Sequence, residues 1–91
     1  MQYAHIAANE TQVLAFKPTV LTRVTVNKRG GGGNTLSVYD ALLADPARLV
    51  GVIDTTDTGS GLSLEYGISL EVGLVVVLGG GTPADITVVY L

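Results

Sequence analysis

The first residue able to do chemistry is His5, the only histidine of the chain. An imidazole can serve as a general base or as a metal ligand. With no second His and no Cys, the usual nitrogen and thiolate ligand sets cannot be assembled around it. Four serines, Ser37, Ser60, Ser63 and Ser69, make a Ser–His–acid set arithmetically possible. No Gly-x-Ser-x-Gly nucleophile elbow occurs, and Gly59-Ser60-Gly61 reads as a hairpin turn. Asp54-Thr-Thr-Asp57-Thr-Gly59 is rich in oxygen and could approach a calcium ion. It lacks the calcium-loop spacing and the terminal Glu, so it reads as a turn. The sequence therefore predicts no catalytic residue, no metal and no cofactor.

Two glycine runs suggest a phosphate loop, but neither has the parts. Gly30–Gly33 leads into Asn34-Thr35 and a strand pattern, and Gly79–Gly81 leads into Thr82-Pro83 and another. Phosphate cradles need a helix N-terminus behind the glycines, and a Lys. A flexible connector and a turn are expected instead. Lys28-Arg29 is a short basic pair at a loop tip. Tyr3, Tyr39, Tyr66 and Tyr90 are too evenly scattered to predict a stacking platform.

The elements that must position these residues are strands. The 91 residues are 47% hydrophobic with few aromatics and 12 Gly, a β-rich composition with many turns. Gln2–Ala8 reads as a first strand or, over residues 1–11, as an extended N-terminal arm. Gln12–Phe16, Val20–Asn27, Thr35–Asp40 and Leu49–Thr55 follow. Leu62–Tyr66 and Ile68–Val72 form one strand bent at Gly67, or two. Gly73–Leu78 and Ile86–Leu91 close the chain as an apparent hairpin. In Val20–Asn27 the Val20, Val24 and Val26 face is expected to be core. Ala41–Arg48 is too short and too Pro-limited for more than a helical turn. Seven or eight short strands at intervals near ten residues predict a single all-β domain spanning 1–91. The expected architecture is an antiparallel two-sheet sandwich of jelly-roll or immunoglobulin-like topology.

The closing pair is apolar on both faces, which suggests that another chain covers one of them. Val75, Val77, Val89 and Leu91 are the expected interface residues. Residues 61–91 hold no Lys or Arg, so edge lysines that discourage strand association are missing there. The net charge of −3 is uneven: residues 1–39 carry four bases and one acid, residues 40–91 seven acids and one base. That polarity would let a basic end meet a neighbour's acidic end. The acidic total disfavours nucleic acid, no run approaches the length of a membrane span, and Met1–Ala8 lacks the features of a signal peptide.

Three segments in this order, Asn34-Thr-Leu-Ser-Val-Tyr-Asp40, Leu49-Val-Gly-Val-Ile-Asp-Thr-Thr56 and Gly73–Leu91, resemble small β-sandwich virion proteins of tailed bacteriophages. The resemblance spans about Val20–Leu91 and leaves Met1–Thr19 uncovered. It implies a non-enzymatic structural protein, a capsid decoration (cement) protein located on the virion. Such proteins typically form homotrimers and clamp the major capsid protein at subunit junctions. The alternative it leaves open is a carbohydrate- or receptor-binding module of a tail or head fibre, using Tyr residues and loop acids.

Overall fold

A computed structural model describes residues 1–57 and 61–91. The expected all-β sandwich is what forms. Eight strands are present: β1 (Gln2–Ile6), β2 (Glu10–Ala15), β3 (Thr19–Lys28), β4 (Thr35–Tyr39), β5 (Leu49–Asp54), β6 (Leu62–Leu70), β7 (Leu74–Gly79) and β8 (Asp85–Tyr90). One 3₁₀ turn, Pro46–Arg48, interrupts the β4–β5 connection, with Asp45 capping it through Ala47 N. Residues 58–60, which hold most of the expected Gly59-Ser60-Gly61 turn, lie outside the described residues.

All pairings are antiparallel. Sheet A has the order β1-β8-β3-β6 and sheet B the order β2-β7-β4-β5. Strand pairs 1:8, 2:7, 3:6 and 4:5 wound into two sheets are the jelly-roll arrangement, and the immunoglobulin-like alternative falls away. Only β4 and β5 are consecutive strands paired in one sheet. The apparent closing hairpin is not one: β7 lies in sheet B and β8 in sheet A. Gly80 to Ala84 is an arch between layers.

Alternation explains the core. Leu36 and Val38 of β4, Leu74, Val76 and Leu78 of β7, and Ile86, Val88 and Tyr90 of β8 point between the sheets. Leu21, Val24 and Val26 are all buried, which breaks strict alternation along β3. Leu21 pairs with Tyr90 and Arg23 with Val89, so Thr22 is one residue extra against β8. This bulge swaps faces and brings Leu21 into the core, leaving Val20 only half-buried. On the other flank β6 runs unbroken through Gly67, which has φ +60 and widens the ladder there.

The two glycine runs meet at one end of the sandwich. Gly31 and Thr82 exchange both backbone hydrogen bonds, at 3.1 and 2.8 Å. A Cβ on Gly81, whose φ is +54, would overlap the carbonyl oxygens of Gly31 and Gly32. The glycines are there because two backbones touch. Gly81→Ala is expected to cost about 2–4 kcal/mol from backbone strain plus steric conflict, read as a lowered thermal midpoint. A change under about 1 kcal/mol would mean that these loops are not packed together.

Candidate interaction surface

Of the residues with chemical potential, His5, Asp54 and Ser63 are held by partners within the fold. His5 stands on the outer face of sheet A, its Nε2 2.5 Å from Asp85 Oδ1. Asn27 Nδ2 donates to the same Asp85 oxygen at 3.0 Å and to Thr87 Oγ1 at 2.9 Å. The Asn27 and His5 hydrogen bonds, with the charge of Lys28 nearby, hold the Asp85 carboxyl below its ordinary range despite some desolvation. Thr25 and Ser63 hydrogen-bond each other at 2.8 Å one step along the same cross-strand row. Among the described residues no serine hydrogen-bonds His5, whose partner is Asp85, so the Ser–His–acid set does not form there.

Asp54 Oδ1 accepts from Thr56 Oγ1 at 2.7 Å and from Thr56 N at 3.0 Å, which lowers its pKa. This is a local Asx turn. No group of three or more His, Cys, Asp or Glu side chains converges among the described residues.

Two polar residues that the sequence did not single out organise the two ends. Asn34 is fully buried at the glycine end. Its Nδ2 donates to Asn9 Oδ1, Gly79 O and Gly80 O, and its Oδ1 accepts from Thr55 Oγ1 and Ala84 N. At the opposite end Asp40 accepts from the backbone N–H groups of Glu71, Val72 and Gly73 at 2.9, 2.8 and 3.3 Å. Arg48 Nη2 lies 3.1 Å from Asp40 Oδ2, and Arg48 Nε donates to Asp40 O at 2.7 Å. Desolvation pushes the Asp40 pKa up, but the three amides and the guanidinium outweigh it, and the net shift is downward. These are structural clamps with satisfied hydrogen bonds. No buried side-chain N or O lacks a partner among the described residues.

What remains is surface, and the two outer faces differ. Sheet A shows the cross-strand rows Tyr3–Val89–Arg23–Glu65 and His5–Thr87–Thr25–Ser63. It is largely polar, and Arg23 faces Glu65 at 3.5 Å. Sheet B shows Thr11–Val77–Ser37–Val52 and Val13–Val75–Tyr39–Leu49. Those two rows contain no charge. Val75 at their centre is completely buried, with Val13 and Tyr39 beside it, whereas Leu49 and Val52 on the edge strand are 46% and 55% exposed. Leu42 and Leu43, in the loop leading to β5, are exposed as well.

The four residues expected to share one interface therefore divide. Val75 and Val77 lie on the outside of sheet B, and Val89 on the outside of sheet A. Leu91 lines a cleft of about 420 Å³ at the β1–β2 side of the sandwich, with Leu14, Phe16, Lys17 and Tyr90. Their grouping rested on the β7–β8 hairpin, which the strand order replaces. Leu49 and Val52 were overlooked, although Leu-Val-Gly-Val-Ile of β5 is apolar on both faces by the same criterion that singled out β7.

Comparison with protein-family models, with curated proteins and with solved structures finds no match for this chain.

Proposed function

We propose that the chain is a non-enzymatic structural protein of a tailed-phage virion, a capsid decoration protein that self-associates and binds the major capsid protein. One observation carries this reading. His5, Asp54, Asp85, Asp40 and Arg48 are engaged in hydrogen bonds within the fold, while the two central cross-strand rows on the outside of sheet B carry no charged side chain. Burying each exposed Leu or Val of that face contributes roughly 1.5–3 kcal/mol. The virion assignment comes from the resemblance of the Asn34–Asp40, Leu49–Thr56 and Gly73–Leu91 segments. A jelly roll is compatible with it and does not select it, because this architecture serves lectins and cupins as well.

A test starts from particles. In virions purified from the producing host, quantitative mass spectrometry is expected to find the chain at a copy number comparable with the major capsid protein. Added back to particles stripped of it, the protein is expected to co-sediment to saturation and to raise the temperature at which capsids open. Its absence from virions defeats the proposal. A few copies per particle would instead place it in a tail or fibre.

A further inference from the structure

The cleft of about 420 Å³ on the β1–β2 side belongs to neither polar clamp. We propose that it binds a small molecule in which one carboxylate is joined to an apolar body, with the carboxylate held by Lys17 and the Tyr90 hydroxyl. Three features of the cleft select this class of ligand, and none of them depends on the virion reading.

The first is a polar group without a match. Tyr90 is only 7% exposed and packs with the core. Its hydroxyl has no hydrogen-bond partner among the described residues, in contrast to the buried side chains of Asn34 and Thr55. Every side-chain nitrogen or oxygen that is fully sealed from solvent does have a partner. The Tyr90 hydroxyl is therefore not sealed, and the opening that Tyr90 lines is the cleft. Buried tyrosine hydroxyls ordinarily bond to something. This one is free to donate to a ligand.

The second is charge. Lys17 is the one charged side chain lining the cleft, and it has no ion-pair partner among the described residues. It stands in the crossover from β2 in sheet B to β3 in sheet A, next to Pro18. Thr19 is already engaged, since its Oγ1 donates to Leu91 O at 2.5 Å. An ammonium and a phenol both donate at neutral pH, and a carboxylate can accept from both at once. A cationic ligand would meet no acidic side chain here.

The third is the wall. Leu14, Phe16 and Leu91 give the cleft apolar sides. Tyr90 pairs with Gln2 at the start of edge strand β1, while Leu14 lies near the end of edge strand β2 in the other sheet. The ligand's body would therefore lie between the two edge strands. The volume falls in the lower part of the range of small-molecule sites, roughly 300–1,000 Å³. It suits an alkyl or aryl body and is too small for a folded partner.

The probes are octanoate, acetate and octan-1-ol, which carry head and tail, head alone and tail alone. Each is titrated into isotope-labelled protein and followed through the backbone amide chemical shifts. Octanoate is expected to saturate with a dissociation constant of about 1 mM or tighter, moving the amides of Lys17, Thr19, Tyr90 and Leu91. Acetate and octan-1-ol are each expected to bind about fivefold or more weakly. Lys17→Met keeps an apolar stem without the charge. It is expected to weaken octanoate by about fivefold or more and to leave octan-1-ol as it is. Tyr90→Phe removes only the hydroxyl. It is expected to weaken octanoate without lowering the thermal midpoint, because that hydroxyl has no partner in the fold. Shifts that never saturate, or that spread over both sheets, overturn the inference. So do octan-1-ol binding as tightly as octanoate, an unchanged affinity in Lys17→Met, and a lowered midpoint in Tyr90→Phe. None of these results touches the virion proposal, which stands or falls on co-purification with particles.

Discussion

Asn34→Ala is expected to lower the unfolding free energy by about 3–5 kcal/mol, the largest effect of any single polar truncation in the chain. The side chain has no solvent exposure, and it connects four loops. Its two amide protons serve Asn9 Oδ1 and the carbonyls of Gly79 and Gly80, and its carbonyl takes bonds from Thr55 Oγ1 and Ala84 N. Alanine removes all of these at once and leaves the buried Ala84 N–H and the carbonyls of Gly79 and Gly80 without this partner, while Thr55 Oγ1 keeps its bond to the Asn34 backbone carbonyl. Each such orphan costs about 1–3 kcal/mol, and partial entry of water explains why the sum is not simply additive. Asn34→Asp is no remedy, because it keeps the acceptor but places a charge against two carbonyl oxygens. Domains of this size are stable by about 5–15 kcal/mol, so either change consumes a large fraction of the margin. Urea denaturation reads the effect as a lower midpoint at constant slope. A loss below about 1 kcal/mol would show that Asn34 does not organise this end.

Asp40 dominates the opposite end, and its signature is pH. Its carboxylate sits on three consecutive backbone amides and beside Arg48, so its pKa in the folded protein lies below the ordinary value of 3.8. A depressed pKa means that the stabilising contribution is complete above the unfolded-state value. It is lost as pH falls through the folded-state value. Wild-type stability is thus expected to decline steadily below about pH 4. Asp40→Asn keeps the shape but loses the charge-assisted bonds, at a cost of about 2–3 kcal/mol at pH 7. The decisive measurement is the difference between wild type and variant as a function of pH. It is expected to shrink as the solution is acidified, since a protonated Asp40 resembles the amide. Asp54 and Asp85, whose pKa values are also lowered, remain in both proteins and cancel in that difference. A gap that is constant from pH 7 to pH 3 would remove Asp40 as the acid-sensitive clamp.

Strand positions were legible because side-chain alternation is a local property. Ser37 and Tyr39 out with Leu36 and Val38 in is written directly in Thr35–Tyr39. Strand order was not, because β3, β7 and β8 carry similar apolar patterns, and pairing depends on which face closes the core. Gly79-Gly-Gly-Thr-Pro83 looks like a hairpin turn, yet it crosses from one layer to the other. The reason lies far away in sequence: Gly31 captures Thr82, and Asn34 captures Gly79, Gly80 and Ala84. The bulge at Thr22 is equally silent, since it arises from a mismatch with β8 and not from a special residue. Asn34 and Asp40 carried a faint signal as polar residues flanking an apolar strand. Nothing local distinguishes a turn-forming Asn or Asp from one that bonds three loops. The outer face of sheet B was half legible. The criterion was sound, but applied only to the last strands it joined residues that the wrapping separates.

The wrapping also sets the tempo of folding. Only β4 and β5 are neighbours in both sequence and sheet, whereas β3 must find β6, β2 must find β7, and β1 must find β8. Each outer pair encloses a longer loop than the one inside it, so closure entropy is smallest for the β4–β5 hairpin and grows outward. The order of assembly favoured by that cost is β4–β5 first, then 3:6, then 2:7, with β1 and β8 zipping last. Pairing so remote in sequence places the domain among β proteins that fold in milliseconds to seconds. A ribosome presenting β1 first cannot complete sheet A until β8 has emerged, so the domain reaches its native state only after synthesis through Tyr90.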